Sequence, residues 1–61
     1  MEILISMNSG DVFKFEITED DYKTFKTDTI IFNWLKLNDY GYNANTEVYI
    51  RKEHISYYGI V

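Results

Sequence analysis

Apart from Leu4 and Val12, residues 2–17 alternate between apolar and polar side chains on both sides of the turn-forming stretch Asn8–Asp11. A period of two, carried by β-branched and aromatic residues, is typical of strands that bury one face. Gly10 can adopt the positive φ angle that a tight turn between strands commonly needs. The pattern therefore predicts a β-hairpin whose apolar face must be covered by the rest of the chain. That face carries Ile3, Ile5, Met7, Phe13, Phe15 and Ile17.

The whole chain, including this hairpin, has only 61 residues, so it can form one domain at most. A domain of this size buries only about 60% of the surface that its unfolded chain exposes, and it often needs additional support. The absence of cysteine excludes disulfides and thiolate zinc sites, and a single histidine disfavours a transition-metal site. We therefore expect no metal and no cofactor, and a partner chain is the remaining source of support.

The segment Thr18–Asp21 is typical of a helix start. The hydroxyl of Thr18 can accept a hydrogen bond from a free N–H group of the first turn, and the three acids that follow it favour the positive end of the helix dipole. We expect the helix to begin at Glu19 and to carry Tyr22 and Phe25 on one face, because these two residues are three positions apart.

The continuation of this helix is harder to predict. One straight helix over residues 19–37 would carry apolar side chains on nearly all sides, whereas a surface helix shows one apolar stripe. We therefore expect a break near residues 27–29, followed by a second helix over Thr29–Leu37. A strand is the alternative, because residues 29–32 favour β structure. In either case we expect Trp34 to join the core.

The remainder of the sequence predicts a loop and a second hairpin. Turn-forming residues dominate Asn38–Asn45, residues 46–51 and 55–61 alternate as strands do, and Lys52–His54 connects them. The sum is an α+β fold, in which a small four-stranded antiparallel sheet carries one or two short helices on one face. The alternative is a sheet that curls into a small SH3-like barrel.

Charge and hydropathy restrict the partners. Ten acidic and six basic residues give a formal net charge of −4, which disfavours direct binding of nucleic acid because that affinity depends on neutralising phosphates. No apolar stretch approaches the roughly 18 residues that span a bilayer, and the first residues lack the basic region of a signal peptide. We therefore expect a cytoplasmic protein whose partner is neither a membrane nor a nucleic acid.

No pattern of residues indicates catalysis. His54 lies two residues from Ser56, but neither a glycine elbow nor an oxyanion-hole motif accompanies them. The acidic residues around the helix start are explained by capping and by the helix dipole, and a chain of this length seldom forms the deep cleft that a catalytic pair needs. We therefore expect that the protein is not an enzyme.

Six tyrosines are the most distinctive feature of the composition. Tyrosine is enriched at protein interfaces because its ring is large, rigid and amphipathic, and neighbouring acids suit a basic partner. We therefore predict a protein-binding surface of tyrosines and acids, with no catalytic, cofactor-binding or metal-binding residues. Its members are Tyr40, Tyr42, Tyr49, Tyr57, Tyr58, Glu16, Glu19, Asp20 and Asp21.

The function that follows is a non-catalytic protein-binding module. Its length, its acidity and its frequent Ile, Asn, Lys, Tyr and Phe are similar in style to small proteins of Firmicute phages, which often bind and inhibit a host or defence protein. One version is DNA mimicry by the predicted acids. The alternative is a self-assembling structural protein, a homo-oligomer whose edge strands, such as residues 55–61, pair between copies. We expect a proline at Tyr57 to separate such copies.

Overall fold

The computed structural model describes residues 1–61, which form five strands and one α-helix. The elements are β1 (Glu2–Met7), β2 (Val12–Glu16), α1 (Glu19–Ile31), β3 (Trp34–Lys36), β4 (Tyr49–Arg51) and β5 (Ile55–Ile60). A three-stranded antiparallel sheet has the order β2-β1-β5, and β3 pairs with β4 in a separate two-stranded sheet. The predicted α+β class is confirmed, with five strands in two sheets instead of four in one, and no barrel closes.

The first hairpin forms as predicted. Ile3 lies opposite Phe15 and Ile5 opposite Phe13, and Gly10 in the turn has a φ angle of 98°. The alternation places the apolar side chains on the inner face of the sheet, where Phe13 is half-buried. The buried members of this face are Ile3, Ile5, Met7, Phe15 and Ile17.

The start of α1 also agrees with the sequence. The hydroxyl oxygen of Thr18 accepts a hydrogen bond from the N–H of Asp21 at 3.1 Å, and Glu19 is the first helical residue. Phe25 is completely buried and Tyr22 packs against the same core. The acids of the first turn lie at the positive end of the helix dipole, which stabilises the helix there.

The predicted second helix, Thr29–Leu37, is wrong. Helix α1 continues without a break through residues 27–29 to Ile31, and it ends where the N–H of Phe32 donates to the C=O of Asp28 at 2.8 Å. The predicted break assumed that every apolar side chain faces the core. The structure instead leaves the last helical residues and Phe32 exposed. A single buried stripe is therefore enough, and the helix needs no break.

The two-stranded sheet completes the core. Leu35 of β3 lies opposite Ile50 of β4, and both side chains are buried. Short 3₁₀ helices follow β3 and β4, at Leu37–Tyr40 and at residues 52–54. The predicted second hairpin is wrong, because the strands on either side of residues 52–54 belong to different sheets: β4 pairs with β3 and β5 pairs with β1. The expectation that Trp34 joins the core is wrong, because Trp34 lies on the opposite face of β3 from Leu35 and is exposed.

Strand β5 lies at the edge of the three-stranded sheet and pairs only with β1. The N–H of Val61 donates to the C=O of Glu2 at 2.9 Å, and hydrogen-bonded and non-bonded positions alternate along antiparallel strands. The main-chain groups of Tyr57 therefore point to β1, whereas those of Tyr58 and Ile60 point away from it. A proline at Tyr57 would disrupt the sheet of its own chain, so it does not test pairing between copies selectively.

We expect Phe25→Ala to unfold a large fraction of the protein. Truncating a buried phenylalanine costs about 3–5 kcal/mol, and a domain of this length has a total stability of about 3–9 kcal/mol. The free energy of unfolding, measured by urea denaturation with circular dichroism, checks this. Ile30→Ala is the control, because its exposed side chain should change stability by less than about 0.5 kcal/mol. Equal stabilities of the two variants would contradict the central position of Phe25.

Candidate functional site

The outer face of the two-stranded sheet presents two pairs of large side chains. Trp34 lies opposite Arg51, and Lys36 lies opposite Tyr49. The hydrogen bond from the N–H of Lys52 to the C=O of Asn33, at 3.0 Å, fixes which positions of the ladder are bonded. The two outer pairs occupy the non-bonded positions, where opposite side chains approach each other most closely.

The first of these pairs is a cation–π contact. The central guanidinium carbon of Arg51 lies 5.4 Å from the centroid of the Trp34 ring. The nitrogen Nη2 of Arg51 also lies 2.6 Å from the carboxylate oxygen Oε1 of Glu53, which holds the guanidinium in place. The Nε atom of Arg51 is buried and has no hydrogen-bond partner. Trp34 is therefore flanked by a charged, planar group that carries an unused donor.

The second pair belongs to a hydrogen-bonded network. The hydroxyl of Tyr49 donates to the carboxylate oxygen Oε2 of Glu47 at 2.8 Å, and the Nζ atom of Lys36 lies 3.3 Å from the same oxygen. The hydrogen bond from Tyr49 lowers the pKa of Glu47, and Lys36 lowers it further. The same bond raises the pKa of Tyr49, so its phenol stays protonated and fixed to Glu47 at neutral pH.

A groove of about 580 Å³ separates this face from the turn of the first hairpin. Its aromatic walls come from Trp34 and Tyr49 on one side and from Phe13 on the other, with Arg51 and His54 beside them. The groove is open to solvent, and Trp34 and Tyr49 remain 56% and 55% exposed. We call this depression the aromatic groove.

Tyr40, a predicted partner-binding residue, is buried in the core. Its hydroxyl donates to the Oδ2 atom of Asp28 at 2.7 Å, and its ring packs edge-on against Phe25 with 5.1 Å between centroids. Burial, followed by the hydrogen bond to Asp28, raises the pKa of Tyr40 above its ordinary value. The ring of Tyr40 therefore stabilises the fold and offers almost no surface to a partner.

Tyr42 and Tyr58 are half-buried and also pack against the core. The ring of Tyr42 makes edge-on contacts with two phenylalanines of β2, the nearer of which is Phe15 at 5.2 Å. The ring of Tyr58 lies 5.1 Å from that of Phe25, also edge-on. Only Tyr49 and Tyr57 of the five predicted tyrosines are exposed, and they belong to different sheets.

The structure separates the predicted acids from the exposed tyrosines. Glu19 and Asp20 lie in the first turn of α1, where the Oε1 atom of Glu19 is 3.6 Å from the Nζ atom of Lys23. Glu16 lies 3.6 Å from the N-terminal amine, and with Asp21 it lines a different depression beside Tyr40. None of these four acids lines the aromatic groove. The predicted residues therefore do not form one continuous surface.

Sequence reasoning missed Trp34 and Arg51 as surface residues and Phe13 as a groove wall. The available signal is a shared pattern, because residues 34–36 and residues 49–51 each place one buried aliphatic residue between an aromatic and a basic residue. That pattern is only three residues long in each strand, and residues 34–36 lie inside the segment that the sequence predicts to be helical.

Neither a metal centre nor a known relative indicates the function. No group of three His, Cys, Asp or Glu residues lies close enough together to hold a metal ion. No helix of the chain has the length and apolarity needed to cross a membrane. Comparisons with protein-family models, with curated proteins and with solved structures find no match. The function is therefore inferred from the geometry of the chain itself.

We expect Tyr40→Phe to lower stability at neutral pH and to reduce its loss at alkaline pH. Removing the hydrogen bond to Asp28 costs about 1–3 kcal/mol. The folded-state pKa of Tyr40 is raised, so the contribution of Tyr40 to the free energy of unfolding is complete below the unfolded-state pKa of about 10. Above that pH, the contribution falls by up to about 1.4 kcal/mol for each pH unit. Urea denaturation between about pH 7 and pH 11 measures both effects.

Tyr57→Phe is the control for this experiment, because the hydroxyl of Tyr57 is exposed and makes no hydrogen bond within the chain. This variant should follow the pH dependence of the wild type. The free energies of unfolding of Tyr40→Phe and the wild type should converge above pH 10. Parallel curves would show that Tyr40 does not couple folding to its ionisation.

Proposed function

We propose that this chain is a non-catalytic protein-binding module and that the aromatic groove is its binding surface. The observation that carries this proposal is the exposure of Trp34, the only tryptophan of the chain, beside Arg51 and Tyr49. A small domain gains stability by burying its largest aromatic ring, so leaving it in solvent calls for another role. Tryptophan, tyrosine and arginine are the residues most enriched among those that dominate binding energy at protein interfaces.

The shape of the groove favours a protein partner. Small-molecule sites enclose most of the surface of their ligand, whereas this groove lies open between a short sheet and a turn. Its volume of about 580 Å³ suits one or two side chains that project from a larger surface. The stem of Arg51 and the rings of Trp34 and Phe13 supply apolar walls for such side chains.

The groove residues are held in position before any partner binds. Glu53 fixes the guanidinium of Arg51, and the bond to Glu47 fixes the ring of Tyr49. Ordering a free side chain at an interface costs about 0.5–1.5 kcal/mol, and this cost is reduced when the side chain is already constrained.

The specific form that we propose is a phage-type inhibitor, which would occupy the working surface of a host or defence protein in the cytoplasm. The residue usage of the chain supports this form. DNA mimicry is the weaker version, because Glu16 and Glu19 take part in ion pairs and Asp20 and Asp21 lie in the first turn of α1, at the positive end of its dipole. Binding through the aromatic groove should therefore depend little on salt, whereas binding through the acids should weaken strongly.

We expect Trp34→Ala to weaken binding by at least about 30-fold, which corresponds to about 2 kcal/mol for a dominant interface residue. The tagged chain is used to recover a protein from the lysate of a Firmicute host, and the affinity of that purified protein is then measured by calorimetry. In the wild type, the fluorescence of Trp34 should shift to shorter wavelength on binding, because the exposed indole becomes buried.

Two variants complete this experiment. Ile30→Ala removes an apolar side chain outside the groove that is more exposed than Trp34, and it should change the affinity by less than about twofold. Asp20→Asn removes one predicted acid and should also leave the affinity unchanged. Wild-type affinity of Trp34→Ala, or a strong loss in Asp20→Asn that disappears at high salt, would contradict the aromatic groove as the binding surface.

A further inference from the structure

The free edge of β5 lacks the features that usually prevent strand pairing. Natural edge strands are commonly protected by charged residues, by proline or by a covering element. Strand β5, Ile55–Ile60, contains no charged residue and no proline. The opposite edge of the same sheet is protected, because β2 carries the charged residues Lys14 and Glu16. Only one edge of the three-stranded sheet is therefore open to another strand.

Main-chain groups along this edge are accessible. The N–H and C=O groups of Tyr58 and Ile60 point away from β1, and no other strand of the chain pairs with β5. A separate depression of about 520 Å³ lies beside the first part of β5 and is also lined by Thr29 and Lys52.

The outer face of β5 also carries unpaired apolar surface. Tyr57 is 61% exposed and Val61 is 69% exposed, and Gly59 lies between them on the same face. A Cβ atom built on Gly59 would meet no atom within 4 Å, so the space over Gly59 is open. A shallow depression of about 180 Å³, lined also by Leu4, lies at this point.

We propose that β5 pairs with β5 of a second copy, antiparallel about a two-fold axis at Gly59, to form a six-stranded sheet with the order β2-β1-β5-β5-β1-β2. In this register Tyr58 of each copy exchanges main-chain hydrogen bonds with the partner's Ile60. Tyr57 of each copy lies opposite the partner's Val61 at a non-bonded position. This proposal concerns a surface outside the aromatic groove and is independent of the proposed function.

The register favours a second copy over an unrelated strand. It uses the free main-chain groups of both Tyr58 and Ile60, and it covers each exposed Tyr57 with a β-branched side chain, which is a favourable cross-strand pair. The two glycines at the axis lie opposite each other and leave space beside the rings of Tyr57, and an aromatic ring beside a strand glycine is a known stabilising arrangement. An uncharged strand also pairs with itself without repulsion.

The expected dimer is closed and weak. Pairing of one short strand buries less than the roughly 1,200–2,000 Å² of a standard interface, so the dimer should dissociate on dilution. Because the β2 edge is charged, pairing stops at two copies and does not continue into a fibre. The solution mass should therefore rise with concentration from 7.3 kDa to twice that value and no further.

The test compares Tyr57→Lys with Val12→Lys. Both side chains lie opposite Ser6 on the outer face, and they are 61% and 55% exposed, but only Tyr57 belongs to the proposed interface. Sedimentation velocity over a concentration series should show a dimer for the wild type and for Val12→Lys. Tyr57→Lys should stay at 7.3 kDa, with an unchanged circular dichroism spectrum.

A second measurement tests the register directly. In a mixture of ¹³C-labelled and unlabelled chains, isotope-filtered spectra should show contacts between the ring protons of Tyr57 and the methyl protons of the partner's Val61. A wild type that stays monomeric up to about 1 mM, where even weak association is visible, would overturn the proposal. Dimerisation of Tyr57→Lys equal to that of the wild type would also overturn it. Binding of an unrelated extended peptide by a monomeric wild type would assign the edge to a foreign strand.

Discussion

The edge-on packing of Tyr40 and Tyr58 against Phe25 is the interaction on which the rest of the structure depends. Phe25 is the only fully buried residue of the helix, and both tyrosine rings lie 5.1 Å from its centroid. Tyr58 belongs to the edge strand of the larger sheet, and Tyr40 belongs to the 3₁₀ helix that follows β3 of the smaller sheet. Each of these two contacts contributes about 0.5–1.5 kcal/mol beyond simple burial. Through them, the side chain of Phe25 joins the helix to both sheets.

The parts of the fold that follow from local rules could be predicted from the sequence. The first hairpin has a long period-two pattern, and the start of α1 has its cap at Thr18, so both were predicted correctly. Strand β3 could not be predicted, because it has only three residues and is stabilised by a partner more than ten residues away. Strand β4 lies within the strand predicted over residues 46–51, but its partner β3 could not be anticipated. The predicted break in the helix was wrong because it assumed that Ile30 and Ile31 are buried, whereas both are exposed.

The candidate site was predicted only in part, for a related reason. Tyrosine serves equally well in a core and at an interface, and its position is decided by strand register. Strand alternation places Tyr58, opposite the buried Ile5, on the inner face of β5, and it places the adjacent Tyr57, opposite Ser6, on the outer face. Trp34 was assigned to the core because of its size, whereas pairing with Arg51 places it on the outer face.

The division of the strands into two sheets has a consequence for valency. Because the aromatic groove belongs to β3, β4 and the hairpin turn, association of two copies through β5 would leave both grooves uncovered. Such a pair would present two identical binding surfaces related by symmetry. A partner with repeated sites at a matching spacing would then be held with an avidity up to about 10²–10⁴-fold above the affinity of a single groove. Because the dimer forms only at higher concentration, the concentration of this protein would determine how much more strongly it binds a target with repeated sites than a single isolated subunit.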